Sequence, residues 1–216
     1  MMDKEKCLRT IEETGVVAVI RVNNADELMD TTVALSEGGV KALEITMTSP
    51  GALDTIAQAS ARFGEDAIIG VGSVLDAETA RLAINAGAKF VVSPVLKEEI
   101  VRMCKRYSVA CIPGAYTPTE ILAAWEAGGD VIKVFPATKL GPSYFKDIHG
   151  PMPQIKLTPT GGVDLNTAGE FIKAGACFVG VGGALVDKKL IAAKNWSELS
   201  ARAAQFIAAV REARRG

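Results

Sequence analysis

A (β/α)8 barrel with an extra N-terminal helix is the α/β fold predicted for this chain by three observations. Eight short apolar runs alternate with helical patterns, a glycine-containing turn recurs ahead of the strands, and no polar, Pro-rich or low-complexity linker divides the 216 residues. One domain spanning 1–216 follows from the last point.

The elements read in order. A helix over about residues 2–14 comes first, and the run VVAVIRV from Val16 is the first strand. KALEITM from Lys41, AIIGVGSV from Ala67, KFVVSP from Lys89 and ACIPGA from Ala110 are the next four. DVIKVFP from Asp130, QIKLTPTGG from Gln154 and CFVGVGG from Cys177 complete the eight. Helical patterns fill stretches between them at 25–37, 77–86, 98–107, 118–127 and 165–174, with a longer one at 197–214. Gly38-Gly39-Val40, Ala86-Gly87-Ala88, Ala127-Gly128-Gly129 and Ala174-Gly175-Ala176 each precede a strand, as helix-ending glycines do. An open doubly wound sheet usually carries GxGxxG after its first strand, whereas this first strand runs into Arg21-Val22-Asn23-Asn24.

Composition narrows the function. A formal net charge of -1 gives nucleic acid no basic surface to bind, and 49% hydrophobic residues suit a single packed core. No apolar run approaches the roughly 20 residues that span a bilayer. Cys7, Cys104, Cys111 and Cys177 form no CxxC pair, and the segment Met-Met-Asp-Lys-Glu-Lys lacks the apolar core of a signal peptide. A cytoplasmic protein acting on a small molecule is expected. No His/Cys/carboxylate cluster has metal-ligand spacing, so neither metal nor cofactor is expected.

Strand parity then selects the chemistry. On the sixth strand Val131, Lys133 and Phe135 share one face, and on the second Ala42, Glu44 and Thr46 do. Arg21 ends the face Val17, Val19, Arg21 on the first. If these faces point into the barrel, a lysine, a glutamate and an arginine converge near its C-terminal mouth. A buried Lys133–Glu44 pair could serve structure alone, yet such pairs stabilise poorly compared with apolar residues of the same volume. An amine and a carboxylate also divide labour: one forms an imine with a keto acid, the other moves protons. A second constellation lies after the seventh and eighth strands, in Thr160-Gly161-Gly162 and Gly182-Gly183, where barrels often bind phosphate through backbone N–H groups. These glycines also suit plain tight turns. His149 reads as a helix-end or surface residue, Lys139 as a solvated loop lysine, and Arg211, Arg214 and Arg215 as the solvated end of the last helix.

Six segments in order, 38–46 (GGVKALEIT), 69–74 (IGVGSV), 90–94 (FVVSP), 112–114 (IPG), 132–137 (IKVFPA) and 159–163 (PTGGV), resemble the successive motifs of the 2-keto-3-deoxy-6-phosphogluconate / 4-hydroxy-2-oxoglutarate aldolase family. The resemblance implies a metal-independent class I aldolase, usually trimeric, on a TIM-type barrel. It implies that Lys133 forms a Schiff base with pyruvate, that Glu44 is the general acid/base, and that Thr160 and Pro94 line the pocket with Phe135 beside the imine. Gly161, Gly162, Gly182 and Gly183 would take phosphate, and Ser73 stands where the family commonly has a pocket threonine. Two positions depart from the family pattern. Thr48 replaces an arginine that binds the pyruvyl carboxylate in the better-known form, a role Arg21 would fill as in another branch, and Ala184 replaces a phosphate-binding serine. The expected reaction is cleavage of 2-keto-3-deoxy-6-phosphogluconate in the Entner-Doudoroff pathway. 4-Hydroxy-2-oxoglutarate is a further substrate, and the galactonate epimer, or a phosphosugar isomerase or synthase, an alternative.

Overall fold

The computed structural model describes residues 3–215. Residue 2, the expected start of the first helix, lies outside them. Within them α1 (Lys4–Thr14) starts at Asp3, whose carboxylate accepts the Lys6 N–H at 2.7 Å, and stops at Gly15, which takes the left-handed conformation at φ 75°.

The strands are β1 (Val16–Ile20), β2 (Ala42–Thr46), β3 (Ile68–Gly72), β4 (Phe90–Val92), β5 (Ala110–Ile112), β6 (Gly114–Ala115), β7 (Ile132–Val134), β8 (Leu157–Pro159) and β9 (Val179–Val181). All pairings are parallel, and β1–β2 and β2–β3 carry the longest registers. Between them lie α2 (Ala25–Glu37), α3 (Ala52–Phe63), α4 (Ala77–Ala86), α5 (Glu98–Arg106), α6 (Pro118–Glu126), α7 (Gly141–His149) and α8 (Ala168–Lys173). The short α9 (Lys188–Ala192) and long α10 (Trp196–Ala213) follow β9. Gly39, Gly87, Gly128 and Gly175, the recurring turn glycines, sit at φ 94° to 112°, where a Cβ would be strained.

The expected single closed barrel needs correction. The ladders form two sheets, a six-stranded one ordered β5-β4-β3-β2-β1-β9 and a three-stranded one ordered β6-β7-β8, so the arrangement is barrel-like and its regular pairing is interrupted twice. One interruption is Pro113, which splits the fifth predicted strand into β5 and β6 because it has no N–H to donate. Asp130 crosses that seam: its carboxylate accepts the Cys111 N–H at 2.9 Å and its own N–H bonds the Cys111 carbonyl. The other seam separates β8 from β9. The Cys177 N–H to the Leu157 carbonyl, the Thr158 hydroxyl to the Phe178 carbonyl and one isolated bridge, Thr160 with Gly180, span it.

Strand parity sorts two apolar layers. Ile20, Leu43, Ile45, Ile69, Val71, Ile132, Val134 and Val181 pack outward with the helices, while Val17, Ala42, Ile68, Phe90, Val131 and Phe178 pack inward. Cys7 and Ile11 of α1 join the inward set, so the extra helix stops one end of the strand arrangement. Lys4 pairs with Asp130 and Lys156 with Glu12, each at 2.7 Å, and Arg214 donates to the carbonyls of Glu12, Glu13 and Cys177. Arg214 is therefore a cap on the carbonyl end of α1, where a cation suits the helix dipole, and not simply the solvated tail expected of it.

Candidate active site

Lys133 lies in the middle of β7 and Glu44 in the middle of β2, and both point inward. Neither helix nor loop solvates them: Lys133 is 5% exposed and Glu44 3%. The glutamate fits because β3 presents Gly72 opposite it, where a Cβ would overlap Glu44 Oε1. Gly70, two residues earlier on the same face, leaves room for the Phe90 ring in the same way. Glu44 Oε1 is buried and has no hydrogen-bond partner. Such an orphaned oxygen costs about 1–3 kcal/mol unless a water or ligand satisfies it.

Burial dominates the electrostatics of the pair. It pushes the Glu44 carboxyl above the usual carboxylate range, against the opposing pull of Lys133 and Arg21. It pulls the Lys133 ammonium below its ordinary value, with Glu44 opposing and Arg21 adding to the shift. Both shifts favour the uncharged forms, a carboxylic acid and a free amine. The Lys133 Nζ stands 4.8 Å from the centroid of the Phe135 ring.

Arg21 follows β1 and reaches Ser73 just past β3, donating from Nη2 to the Ser73 hydroxyl at 3.3 Å. Ser73 holds φ 59°, a left-handed conformation unusual for a side-chain-bearing residue. A cavity of about 550 Å³ opens here, lined by Arg21, Phe135, Thr160, Gly161, Gly162, Gly182 and Gly183, among others. It brings together seven of the residues singled out from the sequence. Gly161 and Gly162 turn at φ 89° and 72°, and at Gly162 a Cβ would come within 2.6 Å of the Thr138 Cα.

Other expected residues lie elsewhere. Pro94 lines a neighbouring cavity of about 360 Å³ with Gly114, Tyr116 and Glu120, and Phe135 separates it from the first. Thr46 shares the inward parity of Glu44, but its hydroxyl donates to the Ile20 carbonyl at 3.1 Å and meets the hydroxyls of Thr48 and Ser49. It ties β2 to the end of β1. His149 bonds the Ile155 carbonyl through Nε2 at 3.0 Å, and neither it nor Lys139 lines the larger cavity. Among the described residues no group of three or more His, Cys, Asp or Glu could hold a metal ion, and no helix is long and apolar enough to cross a membrane.

Two residues at the site escape the sequence reading. Gly72 was legible in principle, because Gly70 and Gly72 recur at the strand period on the inward face. Lys188 also lines the large cavity. It belongs to the pair Lys188-Lys189, and nothing in the sequence tells which of the two faces inward.

The family model of KDPG and KHG aldolase matches residues 8–202. The 2-dehydro-3-deoxy-phosphogluconate aldolase of Haemophilus influenzae is 34% identical over 196 residues, 90% of this chain and 92% of that one. The 2-dehydro-3-deoxy-6-phosphogalactonate aldolase of Escherichia coli is 31% identical over 92% of this chain and 95% of its own length. A solved structure of KDPG aldolase from Legionella pneumophila, with pyruvate captured as a covalent carbinolamine intermediate, superposes with a TM-score of 0.82 at 28% identity, covering 88% of this chain and 92% of that one. A match of this extent, over a site with a buried lysine and glutamate, places the chain in the KDPG and KHG aldolase family, a family of lyases.

Proposed function

We propose that this chain, acting as one catalytic domain, cleaves 2-keto-3-deoxy-6-phosphogluconate to pyruvate and glyceraldehyde 3-phosphate through an imine on Lys133, and cleaves 4-hydroxy-2-oxoglutarate to pyruvate and glyoxylate at the same site. The observation that carries it is the buried Lys133 and Glu44, both driven toward their uncharged forms, with Glu44 Oε1 lacking a partner.

The cycle follows from those protonation states. The Lys133 amine attacks the C2 carbonyl, and the resulting carbinolamine loses water when Glu44 supplies the proton, which leaves an iminium and a carboxylate. The carboxylate takes the C4 hydroxyl proton, the C3–C4 electrons pass into the iminium, and the aldehyde departs from an enamine. Glu44 returns the proton to C3, and hydrolysis releases pyruvate, the free amine and the acid form of Glu44. Arg21 holds the substrate carboxylate with its planar fork, which fixes C2 within attack distance. Phe135 walls the imine on one side, and Ser73 positions Arg21. Thr160 and Pro94 line the binding region, while Thr46 acts from behind by fixing the strand ends. Gly161, Gly162, Gly182 and Gly183 receive the phosphate through backbone N–H groups, with no metal or cofactor in any step.

The galactonate epimer is the second reading, favoured by the galactonate relative. A cytoplasmic homotrimer completes the proposal. Pyruvate with borohydride should leave a reduced adduct on Lys133, read by peptide mass spectrometry; an adduct elsewhere or none sinks the imine assignment and favours an isomerase or synthase. Pyruvate release from the two epimers and 4-hydroxy-2-oxoglutarate then ranks the substrates.

A further inference from the structure

Two cationic side chains line the large cavity, Arg21 and Lys188, and their surroundings differ. The charge of Arg21 acts on both Glu44 and Lys133, and its guanidinium is tied to Ser73. Lys188 is not among the charges acting on either group. It is exposed at the start of α9, and its amine has no hydrogen-bond or ion-pair partner among the described residues.

The same cavity is lined by Gly161, Gly162, Val163, Gly182, Gly183 and Ala184 from the turns after β8 and β9. None of these side chains can donate a hydrogen bond, so these two turns offer an anion only peptide dipoles. Among the described residues the one acidic lining residue is Asp164, whose Oδ1 accepts the N–H groups of Thr167 and Asn166 at 2.9 Å. Those bonds hold its carboxyl below the usual range, so it stays ionised beside the glycines. A phosphate dianion there meets a fixed negative charge, which backbone donors alone offset poorly.

We propose that Lys188 is the cation on the phosphate side and determines preference for phosphorylated over unphosphorylated keto acids. This rests on the aldolase reading for the identity of the substrate and deepens it. The molecule then carries one cation for each anionic end of its substrate, Arg21 for the carboxylate and Lys188 for the phosphate. Lysine serves as a mobile point charge, and its exposure limits the gain to about fivefold.

The test compares wild type, Lys188→Ala and Lys188→Arg. In Lys188→Ala the ratio of kcat/KM for 2-keto-3-deoxy-6-phosphogluconate to that for 4-hydroxy-2-oxoglutarate should fall about fivefold, through KM, and Lys188→Arg should restore most of it. An unchanged ratio, or equal loss toward both substrates, overturns the proposal. Calorimetric titration with inorganic phosphate at low salt removes the dependence on turnover. Phosphate binding that weakens about fivefold in Lys188→Ala supports the role even if the wild type cleaves none of the keto acids, in which case only the substrate reading fails. Equal phosphate binding by wild type and Lys188→Ala overturns it even in a fully active enzyme.

Discussion

The inward faces of the same strands make two different regions. Toward the N-terminal ends, Val17, Ala42, Ile68, Phe90, Ala110 and Val131 meet Cys7 and Ile11 of α1 in an apolar floor. One strand period further along β2 and β7, Ala42 gives way to Glu44 and Val131 to Lys133, and β1 runs on to Arg21. Glu44 and Lys133 are as buried as the floor, with Arg21 exposed at the strand end, so burial alone does not separate the pair from the floor. What separates them is what burial does: in the floor it removes apolar surface from water and stabilises, while at Glu44 and Lys133 it strips ionisable groups of water and shifts them toward their uncharged forms. The floor closes one end of the strands, and at the other Arg21 and Phe135 line the large cavity while Lys133 and Glu44 are not among its lining residues.

The largest expected effect breaks the upper region without touching the lower. Lys133→Met should reduce pyruvate release by about 10⁴-fold or more, since the nucleophile is gone. The fold should lose no stability and should gain up to about 2 kcal/mol, because a desolvated amine is replaced by an apolar chain of similar length and Glu44 can stay protonated. Denaturant titration reads the second effect, and a clear destabilisation would show that Lys133 also holds the fold together.

Phe90→Ala does the reverse. The fully buried ring fills the space over Gly70, and its loss should lower stability by about 3–5 kcal/mol. The protein that remains folded at low temperature should keep its imine-forming lysine and trap pyruvate with borohydride. If trapping is lost while the fold persists, the floor and the reactive layer are coupled and the division fails.

The smallest effect sharpens the comparison through pH. The folded pKa of Lys133 lies below its ordinary value of 10.5, so between the two the unfolded chain holds a proton that the folded chain lacks. Stability contributed by this group therefore rises with pH through that window, with a slope of at most about 1.4 kcal/mol per pH unit. For Glu44 the folded pKa lies above 4.5, the folded chain holds the extra proton, and its contribution falls as pH rises through the window above 4.5. Unfolding free energies across pH should show both slopes in the wild type. Lys133→Met should remove the first and Glu44→Gln the second, and slopes unaltered by these changes would place the charges in water.

Much of this was legible in the chain because it depends on local periodicity. Eight strand runs, the four helix-ending glycines and the inward parity of Lys133, Glu44 and Arg21 each need only a few adjacent residues and the two-residue strand period. The departures involve partners far apart in sequence. Thr46 faces inward as its parity requires, yet the carbonyl of Ile20 and the hydroxyls of Thr48 and Ser49 claim its hydroxyl, which only the neighbouring strand and loop could decide. Pro94 opens onto a second cavity because Phe135 stands between the two.

The sequence by itself determined the order of the strands, the family and the shared inward parity of Lys133 and Glu44, though not α3, α7 or α9, since strand period and motif spacing are properties of consecutive residues. Tertiary structure decided the rest: that Pro113 and the β8–β9 seam divide the ladders into two sheets, that Gly72 makes room for Glu44, that Arg214 caps α1, and that Lys188 rather than Lys189 lines the cavity. Each of those depends on which surfaces meet when distant segments pack, and the desolvation that lowers the pKa of Lys133 exists only once they have.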